Sequence, residues 1–156
     1  MKIKWKTLII CIAIPLVVGG VSAFITKDSM STFSLLEKPP LSPPGWLFPV
    51  AWTILYILMG IASYLVVTSN APKEKIDGAL KLYGWQLFFN FFWTILFFNF
   101  ELYFVAFAWL VILWVLILAT IIAFSRISKP AAYLMIPYIL WVTFAAYLNL
   151  GIAILN

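Results

Sequence analysis

Five long apolar runs, parted by brief polar interruptions, make up almost the whole chain. They are Thr7–Phe24, Trp46–Val67, Leu82–Phe98, Tyr103–Phe124 and Ala131–Leu155. Each approaches the ~20 residues that carry a helix across the ~30 Å hydrocarbon core of a bilayer. The pattern predicts an all-α integral membrane protein, a five-transmembrane-helix bundle, with residues 1–156 forming one membrane domain. Two interruptions are longer than the others, Ile25–Gly45 and Thr68–Lys81, and "NAPKEK" in the second is a turn signal. Neither an internal repeat nor a low-complexity tract is visible. Span four carries little that is polar except Thr120 and reads as a structural, lipid-facing helix. Pro137 interrupts span five and predicts a kink, because proline removes a backbone donor and crowds the preceding turn.

Composition strengthens this picture. Hydrophobic residues are 65% of the chain and charged residues 10%, with a mean hydropathy of +1.10. A soluble domain is nearer half apolar and a quarter charged, and a short chain cannot hide such an excess inside itself. The lone cysteine, Cys11, cannot form an internal disulfide. The absence of histidine removes the commonest metal ligand and general base. No charged residue lies well inside a span, which argues against an ion-coupled pump. No acid–base pair, metal cluster or nucleotide loop is apparent.

The net charge of +5 is not a nucleic-acid signature, because the basic residues sit between apolar runs. Lys2, Lys4, Lys6, Lys73, Lys75, Lys81, Arg126 and Lys129 fall on one side, and Lys27 and Lys38 on the other. The positive-inside rule then predicts a multi-pass protein of the cell membrane, N-terminus cytoplasmic and C-terminus outside. "MKIKWK" followed by Leu8–Val21 also has the form of a signal peptide, with "VSA" as a cleavage site. The small pair Gly19 and Ala23 favours a retained first span that packs tightly on a neighbour.

Polar and aromatic residues deep in the spans are the candidate site. In span three, Gln86, Asn90, Trp93 and Phe97 recur at helical spacing and share one side. Amides in hydrocarbon need partners, so this side faces the bundle. They either join helices or line a cavity and bond a ligand. In span two, Pro49, Trp52, Tyr56 and Met59 share a face; in span five, Trp141, Ala145, Leu148 and Asn149 do. Trp5, Trp46 and Trp109 read as interfacial aromatics. Trp52, Trp93 and Trp141 lie deeper, where small neighbours such as Ala145 would leave a flat apolar slot.

These residues occur in a known order. "EKPPLSPPGWLFPVAWTILYILMGIA", "LYGWQLFFNFFWTILFF" and "PYILWVTFAAYLNLGI" resemble the second, third and fifth spans of the translocator protein family, also called tryptophan-rich sensory proteins (TspO/MBR) or peripheral benzodiazepine receptors. The resemblance runs over nearly the whole chain and is that of a bacterial member. It implies that loop 25–45, stiffened by Pro39, Pro40, Pro43 and Pro44, covers a ligand cavity. It implies binding of porphyrins such as protoporphyrin IX, with no other cofactor, in a sensor linked to tetrapyrrole or stress regulation. The ligand-binding set it implies is Pro43, Pro44, Pro49, Trp52, Tyr56, Gln86, Asn90, Trp93, Trp141, Ala145 and Leu148. Trp52 and Trp141 match tryptophans implicated in light- and oxygen-dependent porphyrin degradation. Passive transport and degradation are the alternatives to sensing.

The chain also departs from the family. Where the family often has Trp-Tyr before its Lys-Pro, this chain keeps only Phe33. The C-terminal "LNLGIAILN" lacks the basic residue of the mammalian sterol motif. The resemblance implies a homodimer through small residues of span three. Ala79 and Gly84 remain there, beside the bulky Trp85 and Phe88.

Overall fold

The computed structural model describes residues 2–156. Six α-helices follow one another: α1 (Trp5–Thr26), α2 (Met30–Ser34), α3 (Leu47–Val67), α4 (Lys73–Thr94), α5 (Tyr103–Ser125) and α6 (Lys129–Leu155). Among the described residues there is no strand. The five long helices pack as a closed ring in the order α1, α3, α6, α5, α4 and back to α1. Four of them, α1, α3, α5 and α6, are long and apolar enough to cross a membrane. This is a multi-pass membrane protein.

The remaining long helix, α4, differs for a physical reason. Its first turns carry Lys73, Glu74, Lys75, Asp77 and Lys81, and only from Leu82 is it apolar. The helix therefore begins nine residues before the apolar run does, and the interruption shrinks to residues 68–72. Extended Pro72 precedes α4, and the lysines, glutamate, alanine and leucines that follow are good helix formers even when hydrated. The "NAPKEK" signal thus marks a turn in its first half and a helix start in its second.

Two close approaches pin α1 to α3. The buried stripe of α1 is Cys11, Pro15, Gly19, Ser22 and Thr26, a helical repeat. Gly19 lies against the ring of Tyr56. Gly60 of α3 lies against the α1 backbone, where a Cβ would sit 2.6 Å from the Cα of Ile12 and 2.8 Å from the carbonyl of Cys11. Ala23 is exposed, so the expected Gly19/Ala23 pair is corrected: Ser22 continues the stripe, and the second glycine comes from the other helix. Ser22 and Thr26 donate to carbonyls of their own helix, at 3.0 and 2.9 Å, so neither leaves a bare hydroxyl in the apolar interior.

Helix α5 is more than a lipid-facing strut. Ala106, Leu110, Leu113, Ile117, Thr120 and Phe124 are wholly buried against α4 and α6, while Phe104, Val105, Val111, Ile112, Val115, Leu118 and Ile122 face outward. A run without polar markers hides this two-sidedness, because lipid and core accept the same residues. Helix α6 is capped by the hydroxyl of Ser128, which accepts from the amide of Ala131 at 3.4 Å. It runs without interruption past Pro137, which lies on its exposed side.

Candidate functional site

The segment between α1 and α3 closes over one mouth of the ring. It is partly helical, with a 3-10 turn at Lys27–Ser29 and then α2. Ser29 donates to the side-chain oxygen of Asn99 at 2.6 Å. The hydroxyl of Tyr147 donates to the carbonyl of Pro40 at 2.6 Å. The side chain of Asn156 donates to the carbonyl of Glu37 at 2.8 Å and accepts from its amide at 3.2 Å. Pro39 is buried against Gly151, where an added Cβ would stand 2.5 Å from the proline ring. Among the prolines, Pro39 therefore makes the deep contact. Pro43 is half-buried, while Pro44 and Pro49 are exposed at the entry to α3. The carbonyl of Pro44 accepts from Leu47 at 3.0 Å, and that of Pro49 from the hydroxyl of Thr53 at 2.7 Å. These two act on the backbone of the helix start.

Beneath the segment lies a cluster of aromatic rings. Trp52 stacks on Tyr56 at 5.6 Å between centroids and meets Tyr138 at 6.2 Å, Trp141 at 6.4 Å and Trp93 at 6.5 Å. Phe48 stands 6.0 Å from Trp141, edge to face. Phe33 reaches in from α2 to Phe48, Phe97 and Phe98 at 6.2, 6.0 and 5.3 Å. Lys38 sits 4.8 Å over the Phe33 ring. These are the separations at which aromatic pairs attract. The helical repeat accounts for the convergence: Phe48, Trp52 and Tyr56 fall four apart on α3, and Tyr138, Trp141 and Ala145 fall three and four apart on α6. Directly after α4, a π-helical turn at Ile95–Asn99 carries Phe97 and Phe98.

Below the rings runs a chain of buried polar side chains. Tyr56 donates to the amide oxygen of Asn90 at 3.0 Å. The amide nitrogen of Asn90 donates to the Tyr138 hydroxyl at 2.7 Å, and that hydroxyl donates to the amide oxygen of Gln86 at 2.6 Å. Gln86, Asn90 and Tyr138 are at most 1% exposed. The chain ties α3, α4 and α6 together. A second tie runs from the indole of Trp93 to the side-chain oxygen of Asn149 at 3.0 Å, and from the nitrogen of Asn149 to the carbonyl of Tyr103 at 2.8 Å.

Trp141 is the exception. Its indole N–H is buried and has no hydrogen-bond partner, while Trp93, Trp109 and Trp114 each donate to an oxygen. A buried donor left unpaired costs about 1–3 kcal/mol.

The expected slot is filled by these rings. A hollow of about 360 Å³ lies elsewhere, between Val17, Val18 and Val21 of α1 and Gly84, Leu87, Phe88, Phe91 and Phe92 of α4. A second, narrow hollow lies under α2 and is lined by Phe33, Phe97 and Tyr103. Neither is bordered by Trp52, Trp93 or Trp141. The residue types account for this, because aromatic rings gain by packing on one another.

Comparison with known proteins fits this arrangement. The TspO/MBR family profile matches residues 11–155, which takes in most of α1, the four other long helices and the segment that covers them. The chain belongs to the TspO/MBR family. It is 40% identical over 151 residues to a tryptophan-rich protein TspO of Chlorobaculum tepidum, covering 96% of each chain. Identity to the tryptophan-rich sensory protein of Cereibacter sphaeroides is 40% over 121 residues, 78% of this chain and 74% of that one. The translocator protein of Ovis aries is 37% identical over 128 residues, 81% of this chain and 75% of that one.

Within this family frame, Trp52, Tyr56, Trp93 and Trp141 come together, with Gln86 and Asn90 directly below. Ala145 and Leu148 are buried on the same side of α6. Pro44 and Pro49 stay outside the cluster. Tyr138 and Phe48 escaped the sequence reading, although both were within reach of it. Tyr138 lies one turn before Trp141, and Phe48 one turn before Trp52. Trp109 is not a simple interfacial residue: it stacks on Phe89 at 4.2 Å and donates to its carbonyl at 2.7 Å. Trp5 and Trp46 are 64% and 67% exposed. Ala79 is buried in the chain's own core, while Gly84 opens onto the α1–α4 hollow.

Asn90 now has a defined part in this network. Asn90→Leu removes the acceptor of Tyr56 and the donor to Tyr138 at once. It is expected to destabilise the bundle by about 1–3 kcal/mol through the stranded Tyr56 hydroxyl, near the upper end for interhelical bonds in membranes, while the Tyr138 hydroxyl keeps its bond to Gln86. Thermal denaturation in detergent checks this, and an unchanged midpoint would show that the Tyr56 hydroxyl finds another partner.

Proposed function

We propose that this protein is a membrane receptor or sensor that binds flat aromatic ligands of the porphyrin type within the bundle, between Trp52 of α3 and Trp141 of α6. The single observation behind this reading is the unpaired, buried indole N–H of Trp141 inside a cluster of rings. A porphyrin offers a flat π-face to stack on indoles and carboxylates or ring nitrogens to accept that N–H. Family membership supports the same reading. The relatives carry the names tryptophan-rich sensory protein and translocator protein.

Binding on this reading requires the rings to part and the covering segment to move. Phe33 would withdraw from Phe48, and the bonds of Ser29, Pro40 and Glu37 to Asn99, Tyr147 and Asn156 would break and re-form. Such a site responds to occupancy by a change of shape, as a sensor must. The test is titration with protoporphyrin IX in detergent, followed by tryptophan fluorescence. Saturable quenching at one porphyrin per chain is expected; linear, non-saturating quenching would mean partition into the micelle and would remove the receptor reading.

The same reading places the N-terminus in the cytoplasm, from the asymmetry of eight basic residues against two. A periplasm-dependent reporter fused after Asn156 is expected to be active, and a silent one beside an active cytoplasmic reporter would reverse the orientation.

A further inference from the structure

We propose that the proline-rich turn at residues 39–46 is a lipid anchor: it lies at the hydrocarbon edge of one leaflet, where Leu41 and Trp46 insert among the acyl chains. The covering segment is then held by the bilayer as well as by the bundle. The anchor stands apart from porphyrin binding and does not depend on it. The turn sits on the α3–α6 side of the ring, and α4 is next to neither helix in the ring order.

Two contacts fix its depth. The Tyr147 hydroxyl bonds the carbonyl of Pro40, and Gly151 receives the ring of Pro39. Twenty residues of helix beyond Lys129 reach Asn149, about 30 Å, the thickness of the hydrocarbon core. Tyr147 and Gly151 fall on either side of Asn149, so the turn they hold meets the hydrocarbon edge. Helix α5 agrees within one turn: twenty residues back from Arg126 is Ala106, one turn from Tyr103, whose carbonyl accepts from Asn149. Direction comes from Tyr147, which continues the exposed row Tyr133, Ile136 and Leu140 on the outer side of α6. Pro40, bound to it, is exposed while Pro39 is buried, so the turn overhangs the rim of the ring and faces lipid.

The residue types suit that place. Pro39, Pro40, Pro43 and Pro44 have no backbone N–H, which leaves Leu41 and Ser42 as the only amide donors from 39 to 44. The carbonyl of Pro39 accepts from the Ser42 hydroxyl at 2.7 Å, and that of Pro40 from Tyr147. Irregular backbone can approach hydrocarbon only with its polar groups removed or paired; a turn in water has no such need. Leu41 has a φ of 70°, a left-handed backbone that favours glycine. It is 84% exposed, so contacts within the chain do not offset the strain, and burial in lipid does. Trp46 stands exposed at the start of α3, where an indole suits the boundary between acyl chains and headgroups.

Nitroxide labels on the full chain in phosphatidylcholine vesicles test the anchor, one label per chain in a Cys11→Ala background. The label at Leu41→Cys is compared with two references. Lys73→Cys, at the exposed start of α4, reports water. Leu140→Cys, near mid-span on the outer side of α6, reports hydrocarbon. Each label is read by its collision rates with dissolved oxygen, which concentrates in hydrocarbon, and with a water-soluble nickel chelate. The oxygen-to-chelate ratio at position 41 is expected to exceed that at 73 several-fold and to stay below that at 140. Equal ratios at 41 and 73 would put the turn in water and overturn the anchor. Low collision rates at 41 with both reagents overturn it too, because a second copy or the chain itself would then cover Leu41 in place of lipid.

Discussion

Gly60→Ala is expected to be among the most disruptive single-methyl changes in the chain. The new Cβ would meet the Cα of Ile12 at 2.6 Å and the carbonyl of Cys11 at 2.8 Å. Both are backbone atoms and cannot swing aside, so α1 must move away from α3. Overpacking of this kind costs about 1–3 kcal/mol, and backbone neighbours push it to the upper part of that range. Gly78→Ala is the control. It lies on an exposed stretch of α4 with nothing within 4 Å of its Cβ position. There, removing a glycine from a helix interior should stabilise by about 0.5–1 kcal/mol. Equilibrium unfolding in mixed micelles reads both changes. Opposite signs are expected, and equal small effects would mean that α1 is not held at Gly60.

The aromatic cluster gives the second large effect. Trp52→Phe and Trp141→Phe each exchange an indole for a smaller ring at the proposed porphyrin face. Losing a stacked indole should cost about 0.5–1.5 kcal/mol, roughly two- to twelvefold in affinity for protoporphyrin IX. Trp141→Phe also deletes the unpaired N–H. If that group meets an acceptor on the ligand, this variant loses more affinity than Trp52→Phe. In the free protein it should cost little stability, because an unsatisfied donor leaves with it. On the proposed reading, the indoles would be the groups placed to exchange electrons with an excited porphyrin under illumination in air. Each variant is therefore expected to lose most light-dependent porphyrin breakdown, measured as the loss of porphyrin absorption per bound molecule. Weaker binding with unchanged breakdown per bound porphyrin would keep the site and discard the chemistry.

Much of this could be read from residues alone, for reasons that also explain what could not. Apolar length gives the spans, since the bilayer fixes the element length. Helical spacing puts Gln86, Asn90 and Trp93 on one side of α4, and all three are buried there. Spacing within a helix does not give partners across helices. It could not tell that Asn90 would be held between Tyr56 and Tyr138, or that Trp93 would be matched to Asn149 while Trp141 went unmatched. It also could not separate lipid-facing from core-facing residues on α5, because both surroundings are apolar. The charged first turns of α4 were missed because hydropathy marks where a helix is dry, not where it is helical. The prolines were legible as a stiff segment. Which of them docks depends on Gly151 and Tyr147, more than a hundred residues away.

The most direct test of ligand binding between α3 and α6 is a map of photo-oxidation. The full-length protein would be loaded with one equivalent of protoporphyrin IX, illuminated briefly in air and digested, and oxygen adducts would be assigned to individual tryptophans by mass. Exposed Trp5 and Trp46, and Trp85 on the outer face of α4, serve as internal references for oxidant that has diffused away from the ligand. Adducts concentrated at Trp52 and Trp141, with the three references lagging well behind, are the result expected here. Adducts that favour the exposed tryptophans and leave Trp52 and Trp141 intact would place the porphyrin outside the bundle and contradict the proposed site.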